Sequence, residues 1–381
     1  MLDVTKKWIE NKSLVYRKQF GQYFTPDEIK SQIFSVLPKL DNAHILEPAV
    51  GTGEFITPIK THFNNCIIDA FDIDGDIIKL LPNDINVKVK SFLELEAKPI
   101  YDFVVTNPPF FEFVLDDTLK VKFNEIIDGR VNIYSLFIKQ GIDFLKEGGY
   151  LAYVVPTSMN SGRYFAQLRN YILKTCEIEH MIHFNDRKFI DAQQNVQVII
   201  LRKGKNTGKN TFTKNGVTIF TPHSKKIESY YIGTKSIKEL GYSVKTGTIE
   251  WTKNKDKLSD DANATTLIWS HNIKQTGLEL DNSKSDKKNQ YINLPGQSGP
   301  AIVVNRIVGT VGSGLIRAAI VNGSFLAENH VNVISAVDPR IDINVILNSL
   351  LDAKTLELLH LLTGNTQLSK TELENLIPIR I

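Results

Sequence analysis

ILEPAVGTGEF at 45–55 is a short apolar run that ends in a glycine-rich turn. Further apolar runs follow it, and several are separated by segments with helical spacing of apolar residues. This alternation predicts an α/β fold: a doubly wound, mostly parallel sheet with helices on both faces. Strands are predicted at 44–50, 66–74, 85–92, 101–110, 148–156, 178–184 and 195–201, and helices near 3–18, 26–40 and 131–149.

A segment rich in Lys, Asn, Thr and Gly at 203–217 predicts a domain boundary. We therefore expect a first domain at 1–203 and a smaller, mixed α+β domain at 204–381. One late helix is predicted over roughly 342–362, with Gly364 as its C-cap. Residues 1–203 contain 24 Lys and Arg against 26 Asp and Glu, whereas residues 204–381 contain 21 against 16. A basic second domain fits the binding of a polyanion.

Composition and the length of the apolar runs indicate a globular chain and argue against a membrane span, a signal peptide and a disulfide framework. Of the 381 residues, 42% are hydrophobic and 23% are charged, which is typical of a globular chain. No apolar run approaches the roughly 18 residues that a membrane span needs, and the N-terminus lacks the apolar segment of a signal peptide. Cys66 and Cys176 are too few for a disulfide framework, and we predict that both are buried thiols. We expect a cytosolic protein without a metal site and without a membrane partner.

The glycine-rich turn carries the first chemical signal. Gly51 and Gly53 lie between a predicted strand and a predicted helix, where glycine allows positive φ and close approach of the backbone to a ligand. The dehydrogenase pattern GxGxxG is absent because position 56 is Ile. About 20 residues downstream, Asp72 or Asp74 ends the next strand, where an acid can bind ribose hydroxyls. The combination predicts a cofactor that contains a nucleoside.

The second signal is TNPPF at 106–110, which follows the apolar run YDFVV. A Pro-Pro pair cannot continue a central strand, so the chain leaves the sheet here with a stiff backbone. The side-chain oxygen of Asn107 and the carbonyl of Pro108 can then both point away from the strand end, beside the flat ring of Phe110. Two acceptors beside an aromatic ring suit a planar group that bears an NH2.

EPAVGTGEF, FDID and NPPF occur in this order and are preceded by GQYFTP at 21–26. The ordered set resembles the amino-group DNA methyltransferases of bacterial restriction–modification systems, specifically the adenine-N6 class with an N-terminal cofactor motif and a C-terminal recognition domain. The resemblance is specific over about 17–201 and looser beyond. It implies S-adenosylmethionine as cofactor on a Rossmann-like catalytic domain, flipped adenine in double-stranded DNA as substrate, and a separate cognate restriction endonuclease.

Carried over position by position, the resemblance implies roles for nine cofactor-site residues. Thr25 and Pro26 would contact the methionine end of the cofactor, and Glu47 would face its amino group. Ala49, Gly51 and Gly53 would form the glycine loop. Asp72 would hold the ribose, and Ile73 and Phe92 would cover the two faces of the adenine. Ser91 departs from the pattern, because the family often has an acid before this Phe.

Asn107, Pro108 and Phe110 would form the methyl-transfer site, and Phe110 and Phe189 would stack on the flipped base. Residues 204–290 contain 15 Lys and Arg against 9 Asp and Glu, so this segment can contact phosphates. The predicted phosphate contacts are Lys253, Lys255, Lys257 and Arg306.

Three other functions fit part of the pattern. A protein glutamine methyltransferase also presents an NH2 to an NPP site, but the resemblance gives such enzymes no large basic C-terminal half. An RNA adenine methyltransferase is the second alternative, and a catalytically inert DNA-binding module is the third. The intact glycines, Asp72 and NPPF argue against the inert module.

Overall fold

The computed structural model describes residues 1–184, 195–280, 289–306, 316–362 and 368–381. The described chain forms two compact units, Met1–Thr211 with Phe220–Pro222 and Phe212–Ile219 with His223–Ile381. The predicted boundary at 203/204 lies a few residues before this division.

Unit 1 is built on a seven-stranded sheet of order β3-β2-β1-β4-β5-β7-β6. Its strands are β1 His44–Glu47, β2 Ile67–Asp72, β3 Asn86–Val89, β4 Tyr101–Thr106, β5 Leu145–Pro156, β6 Cys176–Phe184 and β7 Val196–Lys203. β7 pairs antiparallel with both β5 and β6, and the pairs among β1 to β5 are parallel. The sheet confirms the predicted α/β class.

Side chains along one strand pack alternately on the two faces of the sheet. In β4, Val104 belongs to a core cluster that also contains Leu136 of the helix Ile133–Phe144, whereas Phe103 belongs to a second cluster that contains Ile33 of the helix Asp27–Val36. Both faces are therefore covered, as the doubly wound arrangement requires. The helices of unit 1 are α1 Asp3–Asn11, α2 Leu14–Gln19, α3 Asp27–Val36, α4 Ile56–His62, α5 Gly75–Ile78, α6 Asp117–Lys122, α7 Ile133–Phe144 and α8 Ala166–Thr175.

Three predicted helices were too long. The helix predicted at 3–18 is two helices, because Ser13 caps α2 by accepting a hydrogen bond from the Tyr16 amide. α3 ends at Val36 because Leu37 precedes a proline and is held in an extended conformation. α7 ends at Phe144, since the chain continues directly into β5.

The strand order places the site. β1 lies between β2 and β4, so the order reverses direction between β1 and β4. In such sheets ligands bind at the carboxyl ends of the strands on either side of this switch point. Glu47 ends β1, Asp72 ends β2 and Asn107 follows β4. The three predicted motifs therefore meet at one edge of the sheet.

Unit 2 contains a four-stranded sheet of order β11-β21-β18-β19 and a five-stranded sheet of order β12-β16-β13-β20-β17. The remaining strands of the chain are β8 Thr211–Lys214, β9 Val217–Phe220, β10 Thr234–Ser236, β11 Tyr242–Thr246, β12 Leu258–Ser259, β13 Thr265–Ile268, β14 Ile273–Lys274, β15 Gly277–Leu278, β16 Tyr291–Ile292, β17 Gln297–Ser298, β18 Ala301–Asn305, β19 Ala318–Val321, β20 Ser324–Ala327, β21 Val331–Ala336 and β22 Pro378–Arg380. The remaining helices are α9 Ser224–Ser229, α10 Ile343–Leu351, α11 Ala353–Leu362 and α12 Lys370–Leu376.

Two further expectations need correction. The single late helix is two helices, because Asp352 is extended and its carboxylate accepts a hydrogen bond from the Lys354 amide, which starts α11. Its predicted cap, Gly364, lies outside the described residues. Of the two thiols, Cys176 is buried but Cys66 is only half-buried, since it precedes the exposed start of β2. None of the described helices is both long and apolar enough to span a membrane.

Candidate active site

The glycine loop is held against the end of β2 by backbone amides. The Gly51 amide donates to one oxygen of the Asp72 carboxylate at 2.9 Å, and the Asp74 amide donates to the other at 2.9 Å. Burial raises the pKa of Asp72, and these two amides oppose the rise. Gly51 and Gly53 have φ of +51° and +82°, which side chains rarely adopt. A Cβ at Gly53 would also meet the Leu81 side chain at 2.7 Å.

Glu47 ends β1, directly before this loop in the chain, and is 1% exposed. Among the described residues, neither of its carboxylate oxygens has a hydrogen-bond partner of normal geometry. Burial raises the pKa of Glu47 well above its ordinary value, and the nearby Thr106 hydroxyl and Ala49 amide only partly offset the effect. A buried acid without a partner costs free energy, so it points to a missing cationic or donor group.

Asn107 is oriented by a single contact from the N-terminal part of unit 1. Its Nδ2 donates to the carbonyl oxygen of Tyr23 at 2.7 Å, across 84 residues of sequence. Its Oδ1 is buried, and within the described part of the chain it has no partner. The side chain therefore presents a free acceptor next to the Pro-Pro corner.

Gly51, Asp72 and Asn107 line one cavity of unit 1. Seven of the predicted cofactor and catalytic residues line it: Thr25, Ala49, Gly51, Asp72, Ile73, Phe92 and Asn107. Five others do not: Pro26, Glu47, Gly53, Pro108 and Phe110. Ser91, at the departure from the family pattern, also lines it. Ile73 is 54% exposed, which leaves its apolar face available to a ligand.

Phe110 is half-buried and packs edge-on against Tyr134, with ring centroids 5.9 Å apart and an interplanar angle of 87°. Phe111 and Phe113 line the cavity instead. Neither was predicted, although the alternation of aromatic residues in FFEF at 110–113 is a sequence signal for both.

Residues 20–25 also line the cavity, and most of them were not predicted as site residues. We call residues 20–25 the strap, since all six of them line the cavity. Only Thr25 was predicted there. The Gln22 side chain ties the strap to the sheet edge: its Nε2 donates to the Asp74 carboxylate at 2.8 Å, and its Oε1 accepts from Trp8 Nε1 at 2.9 Å.

The remaining predicted residues lie elsewhere. Phe189 lies outside the described residues. Lys253 and Lys255 are exposed, the first paired with Glu250 at 2.7 Å and the second over the Trp251 ring. Lys257 is half-buried. Arg306 is half-buried as well, and its guanidinium donates to the Asn329 carbonyl at 3.0 Å, so part of its hydrogen-bonding capacity is already used.

The donor and acceptor set of the cavity fits S-adenosylmethionine. Asp72 carries a carboxylate at the strand end for ribose hydroxyls, and Ile73 and Phe92 provide apolar surface for a base. The unpartnered carboxylate of Glu47 suits an ammonium group. No cluster of three or more His, Cys, Asp or Glu that could hold a metal ion occurs in the described ranges.

Comparison with known proteins agrees with this geometry. Residues 21–189 match the Eco57I restriction-modification methylase family. The chain is 26% identical over 382 residues to the type II methyltransferase M.CvrRI of Paramecium bursaria Chlorella virus XZ-6E, covering 96% of this chain and 97% of that one. It is 32% identical over 197 residues to M.HincII of Haemophilus influenzae, covering 49% of this chain and 38% of the relative. The chain thus spans nearly all of the first relative and less than half of the second.

Among solved structures, the type I restriction-modification methyltransferase subunit of Streptococcus thermophilus matches with a TM-score of 0.42 and 16% identity. The match covers 55% of this chain and 53% of that subunit. The methyltransferase relatives confirm S-adenosylmethionine as the cofactor. The resemblance to methyltransferases of restriction–modification systems, which the ordered motifs indicated, is likewise confirmed.

Proposed function

We propose that this protein transfers a methyl group from S-adenosylmethionine to the exocyclic N6 amine of an adenine flipped out of duplex DNA, as the modification enzyme of a restriction–modification system. The first unit would bind cofactor and target base, and the second unit would recognise the DNA sequence. A separate restriction endonuclease would cleave the unmodified sequence. Such a substrate implies a DNA-associated enzyme of the cytoplasm.

The observation that carries this proposal is the free oxygen of Asn107. Its Oδ1 is buried, unpartnered within the described chain, and next to Pro108, whose carbonyl is the second acceptor in the proposal. A buried acceptor without a donor is costly, so it is retained where a ligand supplies the donor. An exocyclic amine has two N–H groups for these two oxygens.

The residues of the chain would act on the amine before and during transfer. Asn107 and Pro108 would accept both hydrogens of the N6 amine, which draws its lone pair out of conjugation with the ring. The cofactor supplies an electrophilic methyl group on a sulfonium. Asp72, Ile73 and Glu47 would fix that methyl group in line with the nitrogen, and such positioning can supply much of the rate enhancement.

The two oxygens would also stabilise the positive charge that develops on the nitrogen. A new N–C bond forms, the S–C bond breaks with its electron pair left on sulfur, and the nitrogen finally loses one proton to water. This scheme requires no metal and no side-chain base with a shifted pKa.

A stacked adenine cannot reach the edge of the sheet, so the scheme requires base flipping at a cost of a few kcal/mol. Phe110 and Phe189 are the proposed stacking partners. Phe111 and Phe113 line the cavity and are additional candidates. The exposed lysines at 253 and 255 support phosphate contacts by the second unit, and such contacts add affinity without reading sequence.

The test uses S-adenosylmethionine with a labelled methyl group and offers duplex DNA, RNA and protein in parallel. We expect label in duplex DNA. Asn107→Ala should reduce transfer about 100-fold or more, because it removes an acceptor from the transition state, and should change the cofactor Kd less than threefold. Asn64→Ala is the control, since the side chain of this exposed asparagine pairs only with Asp41 in the described structure.

Each other outcome has a defined meaning. Label only in RNA or only in protein would replace the proposal with the corresponding alternative. Label in none of the three would favour the inert DNA-binding module. Asn107→Ala with the wild-type rate on DNA would refute the role of its side chain.

A further inference from the structure

We propose that the Tyr23 carbonyl is a positioning group that sets the Asn107 amide in its reactive orientation, and that Gln22 and Asp74 hold this carbonyl in place. The inference rests on the proposed function, since it concerns how the acceptor for the amine is oriented. It gives the strap a role in catalysis beyond closing the cofactor cavity.

The chemistry of the amide decides which end faces Tyr23. A carbonyl oxygen can only accept a hydrogen bond, so the Asn107 group 2.7 Å from the Tyr23 oxygen must be its NH2. The other end of the same amide, Oδ1, must then point away from Tyr23. An amide flipped by 180° would turn its NH2 toward an incoming amine and its oxygen toward the Tyr23 oxygen. Both contacts are repulsive, so this one hydrogen bond selects the reactive orientation.

Gln22 holds the carbonyl in position from the preceding residue. Its amide side chain is fixed at both ends: Nε2 donates to Asp74 at 2.8 Å and Oε1 accepts from Trp8 at 2.9 Å. The Gln22 backbone amide donates to the Arg17 carbonyl at 2.9 Å. Three hydrogen bonds therefore fix the residue directly before the carbonyl.

Asp74 is the anchor of this arrangement. It is 3% exposed, and its carboxylate also accepts from the Tyr16 hydroxyl at 3.0 Å and from the Asp76 amide at 3.0 Å. Its own amide donates to Asp72, the predicted ribose ligand. Asp74 is thus a positioning residue, which links the end of β2 to the amide at the end of β4 through the strap.

A role in orienting the amide predicts a specific split in kinetics. The Tyr23 carbonyl contacts the acceptor for the substrate amine, so its loss should slow methyl transfer. Cofactor affinity should change much less, because the residues proposed to hold the ribose and the ammonium group keep their contacts. A strap that only walls the cavity would instead weaken cofactor binding and leave the transfer rate of the saturated enzyme unchanged.

The direct test weakens this one carbonyl. Phe24→3-phenyllactic acid, introduced by nonsense suppression, converts the Tyr23–Phe24 amide into an ester, and an ester carbonyl is the weaker acceptor. We expect the single-turnover methylation rate to fall about three- to tenfold, and the cofactor Kd to change less than twofold. The matched control places the corresponding leucine hydroxy acid at the exposed Leu40, which weakens the Lys39 carbonyl away from the cavity and should leave the rate within twofold.

A second variant tests the support of the carbonyl. Gln22→Met removes both side-chain hydrogen bonds at similar volume and should slow transfer at least tenfold. Tyr101→Phe controls for lost stability, since it removes a tyrosine-to-carboxylate hydrogen bond of 2.8 Å to Asp69 and does not line the cavity. Its transfer rate should stay within twofold of the wild type.

An NMR readout separates this inference from the proposed function. With asparagine labelled by ¹⁵N, Asn107→Ala identifies the side-chain signals of Asn107, which should shift in the Phe24 ester and in Gln22→Met. Unshifted signals in the ester, or a transfer rate unchanged by it, overturn the inference. A wild-type protein that methylates no DNA overturns the proposed function, while the NMR signals still report whether Tyr23 holds the amide.

Discussion

Glu47→Gln tests the proposed contact between a buried carboxyl of unit 1 and the ammonium group of the cofactor. The wild-type carboxyl is buried and lacks a partner within the described structure, and burial raises its pKa. In the proposed complex it gains the ammonium group of the cofactor. The substitution keeps the shape of the side chain and removes the charge, so it should weaken cofactor binding without damaging the fold.

The magnitude follows from the hydrogen bond between the carboxylate and the ammonium group, which the substitution removes. A hydrogen bond to a charged group contributes about 1.5–3 kcal/mol, which corresponds to a roughly 10- to 150-fold increase in the cofactor Kd. The thermal midpoint of the cofactor-free protein at pH 8 should be equal to or higher than that of the wild type. The new amide can donate to the Thr106 hydroxyl, which has no partner among the described residues.

The raised pKa of Glu47 also determines how stability and cofactor affinity change with pH. In the cofactor-free wild type, the folded chain keeps the Glu47 proton at pH values where the unfolded chain has lost it. Its contribution to stability therefore falls as pH rises from the ordinary pKa of 4.5 toward the raised value, and Glu47→Gln lacks this fall. Cofactor binding needs the ionised carboxylate, so wild-type affinity should rise with pH over the same window.

Isothermal titration and thermal unfolding over a pH series measure both effects. Glu177→Gln is the matched control, because this buried carboxylate accepts hydrogen bonds from backbone amides, including that of Lys209 at 3.1 Å. It should lower the thermal midpoint and leave the cofactor Kd within twofold. An unchanged Kd in Glu47→Gln would refute the proposed contact with the ammonium group.

Two further predictions concern the glycine loop and the second unit. Gly53→Ala should destabilise unit 1 by about 1–3 kcal/mol in urea unfolding, because the position has positive φ and the new Cβ meets Leu81. Gly148→Ala, in the same unit and also at positive φ, has a Cβ that meets no atom within 4 Å, so it separates the effect of φ from that of the clash. If three lysines contact phosphates, replacing them with alanine should reduce the slope of log K for DNA against log salt by about 0.9 for each phosphate that is no longer neutralised, and an unchanged slope would exclude them. These lysines are Lys253, Lys255 and Lys257.

The predictable part of the fold depended on local signals. The seven predicted strands all occur. Apolar runs such as those of β4 and β7 indicated strands buried on both faces, whereas the alternation of apolar and polar residues indicated the mostly exposed edge strand β3. Helix ends were less predictable, since a cap such as Ser13 or Asp352 looks like any other polar residue until the backbone places it. The position of β7 between β5 and β6 depends on long-range pairing, which no local pattern contains.

The candidate site divides in the same way. Asp72 and Asn107 were predictable because each lies at the end of a strand and within a short motif of consecutive residues. The strap carries part of the GQYFTP motif, but its contact with Asn107 was not predictable, because this contact spans 84 residues. The hydrogen bonds of Gln22 to Trp8 and Asp74 also depend on tertiary structure, and a glutamine in a loop carries no signal of its own.

The atom that receives the methyl group can be identified by mass spectrometry. Duplex DNA is incubated with the protein and S-adenosylmethionine that carries a trideuterated methyl group, then digested to nucleosides and analysed by mass spectrometry. Our account predicts trideuterated N6-methyladenine, and its loss with Asn107→Ala. Label found only in N4-methylcytosine or C5-methylcytosine, or in no nucleoside, would contradict it.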